Sequence, residues 1–216
     1  MANRDWFRKS SWTASDQNDF FSRLKKARPN NRSQYLHIQA AHLMETGLKK
    51  NFISAISLLD MAINTYPDPI NLETDHFLKA RCYEALGHID DAITSYRRAI
   101  EARKNQHSIH TDAPLNFAYF VVSHDRVDLY HEALTGIEEH VREENLLFPI
   151  QRYQFASCLA LIYDQYRQKD VAIKFAQRAL DALAQKESGL SYHPGIGLVT
   201  KKDQAVIKRL KKICAD

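Results

Sequence analysis

The stretch Phe77–Lys104, FLKARCYEALGHIDDAITSYRRAIEARK, decides the fold. Phe77, Ala80, Tyr83 and Leu86 recur at three-residue spacing, and after Gly87 the apolar positions resume at Ile89, Ala92, Ile93, Tyr96, Ala99 and Ile100 with helical periodicity. The pattern predicts two amphipathic helices joined by one tight turn. Glycine lacks a Cβ and takes the left-handed conformation that ends a helix, while Asp90-Asp91 put negative charge at the positive end of the next one. Two such helices cannot bury their apolar faces alone, so the unit is expected to repeat.

It does. With Ala92 as anchor, equivalent positions fall at Ala55, Ala133 and Ala172, in steps of 37, 41 and 39 residues, within the period of helical solenoids. The next residue is Ile56, Ile93, Leu134 or Ile173; seven past the anchor lie Ala62, Ala99, His140 and Ala179. AIxxYxxAI in the second unit, AIxxLxxAIxxxP ending at Pro67 in the first and AIxxAxxAL in the fourth resemble tetratricopeptide (TPR) repeats. Sixteen residues before the anchor, where that family often has tryptophan, stand Gln39, His76, Phe117 and Ala156.

The resemblance implies an all-α fold: a right-handed α-α superhelix, a TPR-like solenoid, of about four helix pairs with an N-terminal and a C-terminal capping helix. The boundaries drawn from the sequence are an arm and capping helix at 1–32, helix pairs at 33–67, 70–104, 114–144 and 151–185, and a loop with a basic helix at 186–216, all in one structural domain.

At 216 residues the chain is long enough for a core of its own, burying ~70% of its unfolded surface. Cys82, Cys158 and Cys214 are odd in number and far apart, which predicts no disulfide framework; with no signal-like segment at the amino end, the cytoplasm is the expected location. No apolar run is long enough to cross a membrane. The net charge of +4 hides an acidic middle: residues 1–50 hold 10 basic and 4 acidic side chains, residues 105–149 hold 2 and 8, and residues 150–216 hold 12 and 6. A continuous nucleic-acid groove would want positive charge throughout, so the pattern argues against one.

Trp6, Phe7 and Trp12 stand among Arg4, Arg8 and Lys9 in an amino-terminal arm. Aromatics interleaved with cations either stack on bases or pin the arm to a core. Thr13 and Ser15 are N-cap candidates for a helix running to about Arg28, with Asp16 and Asp19 in its first turn, and Pro29-Asn30-Asn31 is expected to end it. Beyond Lys186 the repeat register is lost; SGLSYHPGIGLVT at 188–200 precedes a lysine-rich helix with Ala205, Val206, Leu210 and Ile213 on one face, expected to cover the last repeat. The DWFR-like start, TPR-like middle and YHPGIGLV-like tail together resemble a group of bacterial proteins of uncharacterised activity, a similarity that implies no reaction.

No catalytic, cofactor or metal constellation emerges. His107 and His110 lack an acidic or thiol partner at matching spacing, and His131-Glu132 lacks the second histidine of a zinc-protease helix. Gly195 and Gly197 have neither a strand ahead nor a phosphate-loop lysine behind, so loop chemistry accounts for them. His124 and His140 stand at packing positions and are expected to be structural, like Cys82 and Cys158.

A TPR-like superhelix implies a concave side lined by the first helix of each pair. Eight residues before the anchors stand Gly47, Glu84, Asp125 and Asp164, so three units place a carboxylate at one register position. Eleven before come Met44, Arg81, Val122 and Leu161, and fifteen before comes Phe77 in the second unit. The expected partner-binding groove is therefore Met44, Phe77, Arg81, Glu84, Val122, Asp125, Leu161 and Asp164, an apolar floor edged by acids that suits a protein or peptide with basic and apolar anchors. Either nearby arginines (Arg81, Arg126, Arg167) or the partner neutralise those acids. The lysines and asparagines that hold a terminal carboxylate in some TPR proteins are absent. The alternative is a nucleic-acid-associated or regulatory factor using Trp6, Trp12 and the C-terminal lysines; homo-oligomerisation stays open.

Overall fold

In a computed structural model, residues 5–104 and 110–215 are described, and every regular element among them is helical. The ten α-helices are α1 (Ala14–Lys26), α2 (Pro29–Glu45), α3 (Lys49–Asn64), α4 (Leu72–Leu86), α5 (Ile89–Arg103), α6 (Ala113–Ser123), α7 (Tyr130–His140), α8 (Pro149–Gln165), α9 (Lys169–Ala184) and α10 (Gln204–Ile213). The chain divides into two compact units, Met1–Ala113 and Pro114–Asp216. Arg4 and His107 lie outside the described residues.

In the first unit α2 packs on α3 and α4 on α5, and the pairs stack through α3 and α4, with a further contact of α2 on α4. Ala55 and Ala92 are wholly buried, as the anchor role requires; a methyl at the contact lets two helices approach closely. Gly87 closes α4 at φ 79°, and its N–H together with that of His88 satisfies the carbonyls of Glu84 and Tyr83. Gly47 makes the corresponding turn after α2 at φ 68°.

Thr13 caps α1 through a reciprocal box: its Oγ1 accepts the Asp16 N–H at 3.2 Å, and the Asp16 carboxylate accepts the Thr13 N–H at 2.9 Å. The helix stops at Lys26, two residues before the expected Arg28. Pro29 does more than end it, for it stands in the first turn of α2, where its missing N–H costs nothing. The first pair thus begins at 29 rather than 33.

The second unit departs more from the regular pattern. Its first pair was expected to run through 144, but α7 stops at His140, and short 3-10 turns at Val127–Leu129 and Glu143–Asn145 flank it. α8 and α9 form the longer pair, α7 packs on α8, and α10 covers both α8 and α9. Ala133 and Ala172 are wholly buried here as well. The turn positions that hold Gly47 and Gly87 in the first unit hold Asp125 and Arg167, at φ 53° and 59°, a conformation that side chains with a Cβ rarely adopt.

Candidate functional site

The amino-terminal arm is committed to the first unit. Trp6 lies 5.3 Å from the Phe20 ring and 4.9 Å from Tyr35, and Trp12 lies 5.3 Å from Phe20. Buried Gln39 clamps the arm, its Oε1 accepting the Lys9 N–H at 3.0 Å and its Nε2 donating to the Lys9 carbonyl at 2.7 Å. Trp6 and Trp12 are partly buried and packed against the core cluster, which favours pinning of the arm over base stacking. The position where a tryptophan was missing therefore carries an amide with its own structural task.

Met44, Phe77, Arg81 and Glu84 belong to the first unit, on α2 and α4. Met44 packs, half-buried, against the cluster of Phe20, Leu36, Leu43 and Leu59. Phe77 is also half-buried, its ring 6.2 Å from that of Tyr96. Exposed Arg81 donates to the Glu84 carboxylate at 2.9 Å, and the Tyr96 hydroxyl donates to the same oxygen at 3.0 Å. Burial and then the Glu84 carboxylate push the Tyr96 phenol far above its ordinary pKa, so it remains a donor at every accessible pH. Glu84 is thus held from two sides.

The second-unit residues fall differently. Val122 and Leu161 are 0% and 2% exposed, so they serve the core and offer no surface for docking; the spacing that marked them as groove floor marks packing instead. Asp125 lies beyond the end of α6, in the left-handed turn, whereas Glu84 and Asp164 lie within their helices. Equal register does not give equal geometry. Its carboxylate is 3.1 Å from Arg209 of α10 and accepts the Tyr130 hydroxyl at 3.3 Å, while the expected partner Arg126 forks onto Asp128 at 2.9 and 2.8 Å. Asp164 is exposed.

Sequence reasoning also missed three buried polar groups of the first unit. Glu73, with no exposed surface, accepts the N–H and hydroxyl of Thr111, both at 2.7 Å, and pairs with Arg103 at 3.4 Å and His110 at 3.2 Å. It ties the segment after α5 back to α4. Lys79, 9% exposed, is 2.5 Å from Asp60 of α3 and lies 5.9 Å above the Tyr83 ring. Beside it His76 has a buried Nδ1 without a partner, and burial, then the charges of Lys79 and Arg98, depress its pKa to about 4. Only the unremarkable spacing of charges along α4 signalled these groups.

Among the described residues no group of three or more His, Cys, Asp or Glu is placed to hold a metal ion. Burial raises the Cys82 thiol to about 12 and the Cys158 thiol further still, so neither supplies a thiolate nucleophile. No helix of the described residues is long and apolar enough to cross a membrane.

Comparison with known families agrees with the helix-pair geometry: residues 76–106, which contain all of α5 and most of α4, match the tetratricopeptide repeat model. The chain is a TPR-like helical protein. Such repeats serve in general as protein-interaction modules, and that coarse assignment applies here. No curated protein and no solved structure matches the chain.

Proposed function

We propose that the protein is a non-catalytic, cytoplasmic interaction scaffold and that its first unit receives a partner segment on the faces of α2 and α4 carrying Met44, Phe77, Arg81 and Glu84. The observation that carries this reading is the half-exposed Phe77 ring on the same helix as a carboxylate preset by Arg81 and the Tyr96 hydroxyl. An apolar ring near a fixed anion suits a segment with one apolar and one basic anchor. Because Glu84 is already oriented, a partner cation that joins it loses little of its binding energy to ordering the site.

Capture of partners on the immobilised full chain tests the proposal, with wild type compared against Phe77→Ala and Glu84→Lys. Both substitutions should deplete the same proteins at least tenfold, with melting temperatures within a few degrees of wild type. Identical recovery on all three baits would contradict the reading. Loss of binding between low and moderate salt that is insensitive to both substitutions would instead indicate phosphate contacts.

A further inference from the structure

We infer that the surface formed by the end of α6, its turn and α8 is a docking site for a basic amphipathic helix bearing an arginine, with α10 as its resident occupant, displaced when a partner helix of the same pattern binds. The inference stands apart from the α4 face above, since it concerns the other unit and a different ligand.

α10 carries Val206, Ile207, Leu210 and Ile213 at the i, i+1, i+4, i+7 spacing with which helices lie in apolar grooves, and all four are buried. It packs on α8 and α9. A terminal cap requires no more than that. Arg209 reaches further: its guanidinium donates to the Val122 carbonyl at 2.9 Å and to the Tyr130 hydroxyl at 3.0 Å, and lies 3.1 Å from the Asp125 carboxylate. These acceptors belong to the helix pair before the one on which α10 rests.

The acceptor set suits a planar five-donor group and not a single ammonium point charge. The Val122 carbonyl at the end of α6, which also accepts the Asp125 N–H at 3.4 Å, a phenol and a carboxylate converge on one guanidinium. Asp125 occupies a left-handed turn, and its carboxylate accepts the Tyr130 hydroxyl, so two of the three acceptors are also joined to each other.

Charge points the same way. α10 contains Lys208, Arg209, Lys211 and Lys212 and no acid, and the carboxylate it meets is that of Asp125. The link to α10 is irregular over 185–203 and exposed over 189–196, with Tyr192 93% exposed, before Gly197 and buried Val199 bring it back to the start of α8. The Arg209 side chain is 35% exposed, so water and a competing guanidinium both reach the latch.

A fluorescein-labelled peptide of residues 201–215, titrated into the full chain and followed by anisotropy, tests this. Arg209→Ala in the full chain unlatches the resident helix and should let the peptide bind at least tenfold more tightly than to wild type. The same peptide with Arg209→Ala should show no such gain. A second chain, with about twenty Gly/Ser residues inserted after Tyr192, keeps every α10 contact and lowers only its effective concentration; it should bind the unsubstituted peptide about threefold more tightly. If Arg209→Ala fails to fold, the inserted chain decides. Peptide affinity unchanged from wild type in the folded variants, or no binding to any of them, would show α10 to be a fixed cap and overturn the proposal, leaving the α4 face untouched.

Discussion

Gly87 and Gly197 sit at φ 79° and 70°, yet replacing them exposes different physics. A Cβ on Gly87 meets nothing, so Gly87→Ala costs only the strained backbone, ~1 kcal/mol. A Cβ on Gly197 would overlap the Phe148 ring, and the same residue's carbonyl accepts the Ile150 N–H at 2.8 Å at the start of α8. Gly197→Ala should therefore lose ~2–4 kcal/mol, overpacking adding to backbone strain. Urea midpoints of the two variants measure the difference, and equal shifts would contradict it. His76 offers a second residue-scale test. Its folded pKa, about 4, lies below the ordinary histidine value of 6.5, so the unfolded chain binds the proton more readily and stability falls as pH drops from about 6.5 toward 4. The loss is at most ~3 kcal/mol. Melting His76→Gln beside wild type at pH 7.5 and 5 should show the variant losing less on acidification; parallel losses would mean that the ring is more hydrated than its burial implies.

At the scale of elements, the amino-terminal arm depends on one amide. Gln39→Ala removes both hydrogen bonds to Lys9 and leaves a void, which should cost ~1–3 kcal/mol and release Trp6 and Trp12 from their ring contacts. Both tryptophans lie in this arm, so the fluorescence maximum should shift to the red before any global unfolding; an unshifted spectrum would show the aromatic contacts sufficient alone. The elements themselves were legible in the sequence because helical periodicity and turn glycines are local signals. Thr13 was one of two N-cap candidates for α1, and Leu86-Gly87 marked the turn after α4. What connects distant elements left no such mark. Gln39 reaches Lys9, Glu73 reaches Thr111 and Arg209 reaches Val122, and each pair is recognisable only once the helices are placed. The groove expectation failed in part for the same reason: a register position eleven before the anchor holds half-buried Met44 in one pair and buried Val122 in another.

For the whole molecule, the decisive feature is repetition of a small buried side chain. Ala55, Ala92, Ala133 and Ala172 are wholly buried, one in each helix pair of the two units, although the intervening turns differ in length and type. The repeat therefore keeps a small buried side chain at the anchor where turns and caps vary. The tetratricopeptide repeat match at residues 76–106 contains one of these anchors, Ala92. Thermal unfolding of the four Ala→Leu variants, with exposed Ala184→Leu as control, tests this most directly. Each anchor substitution should cost ~1–3 kcal/mol and lower the melting temperature by several degrees, the control staying within ~0.5 kcal/mol of wild type. Melting temperatures unchanged at all four anchors would mean that the helices do not meet there, and the helix-pair account would be wrong.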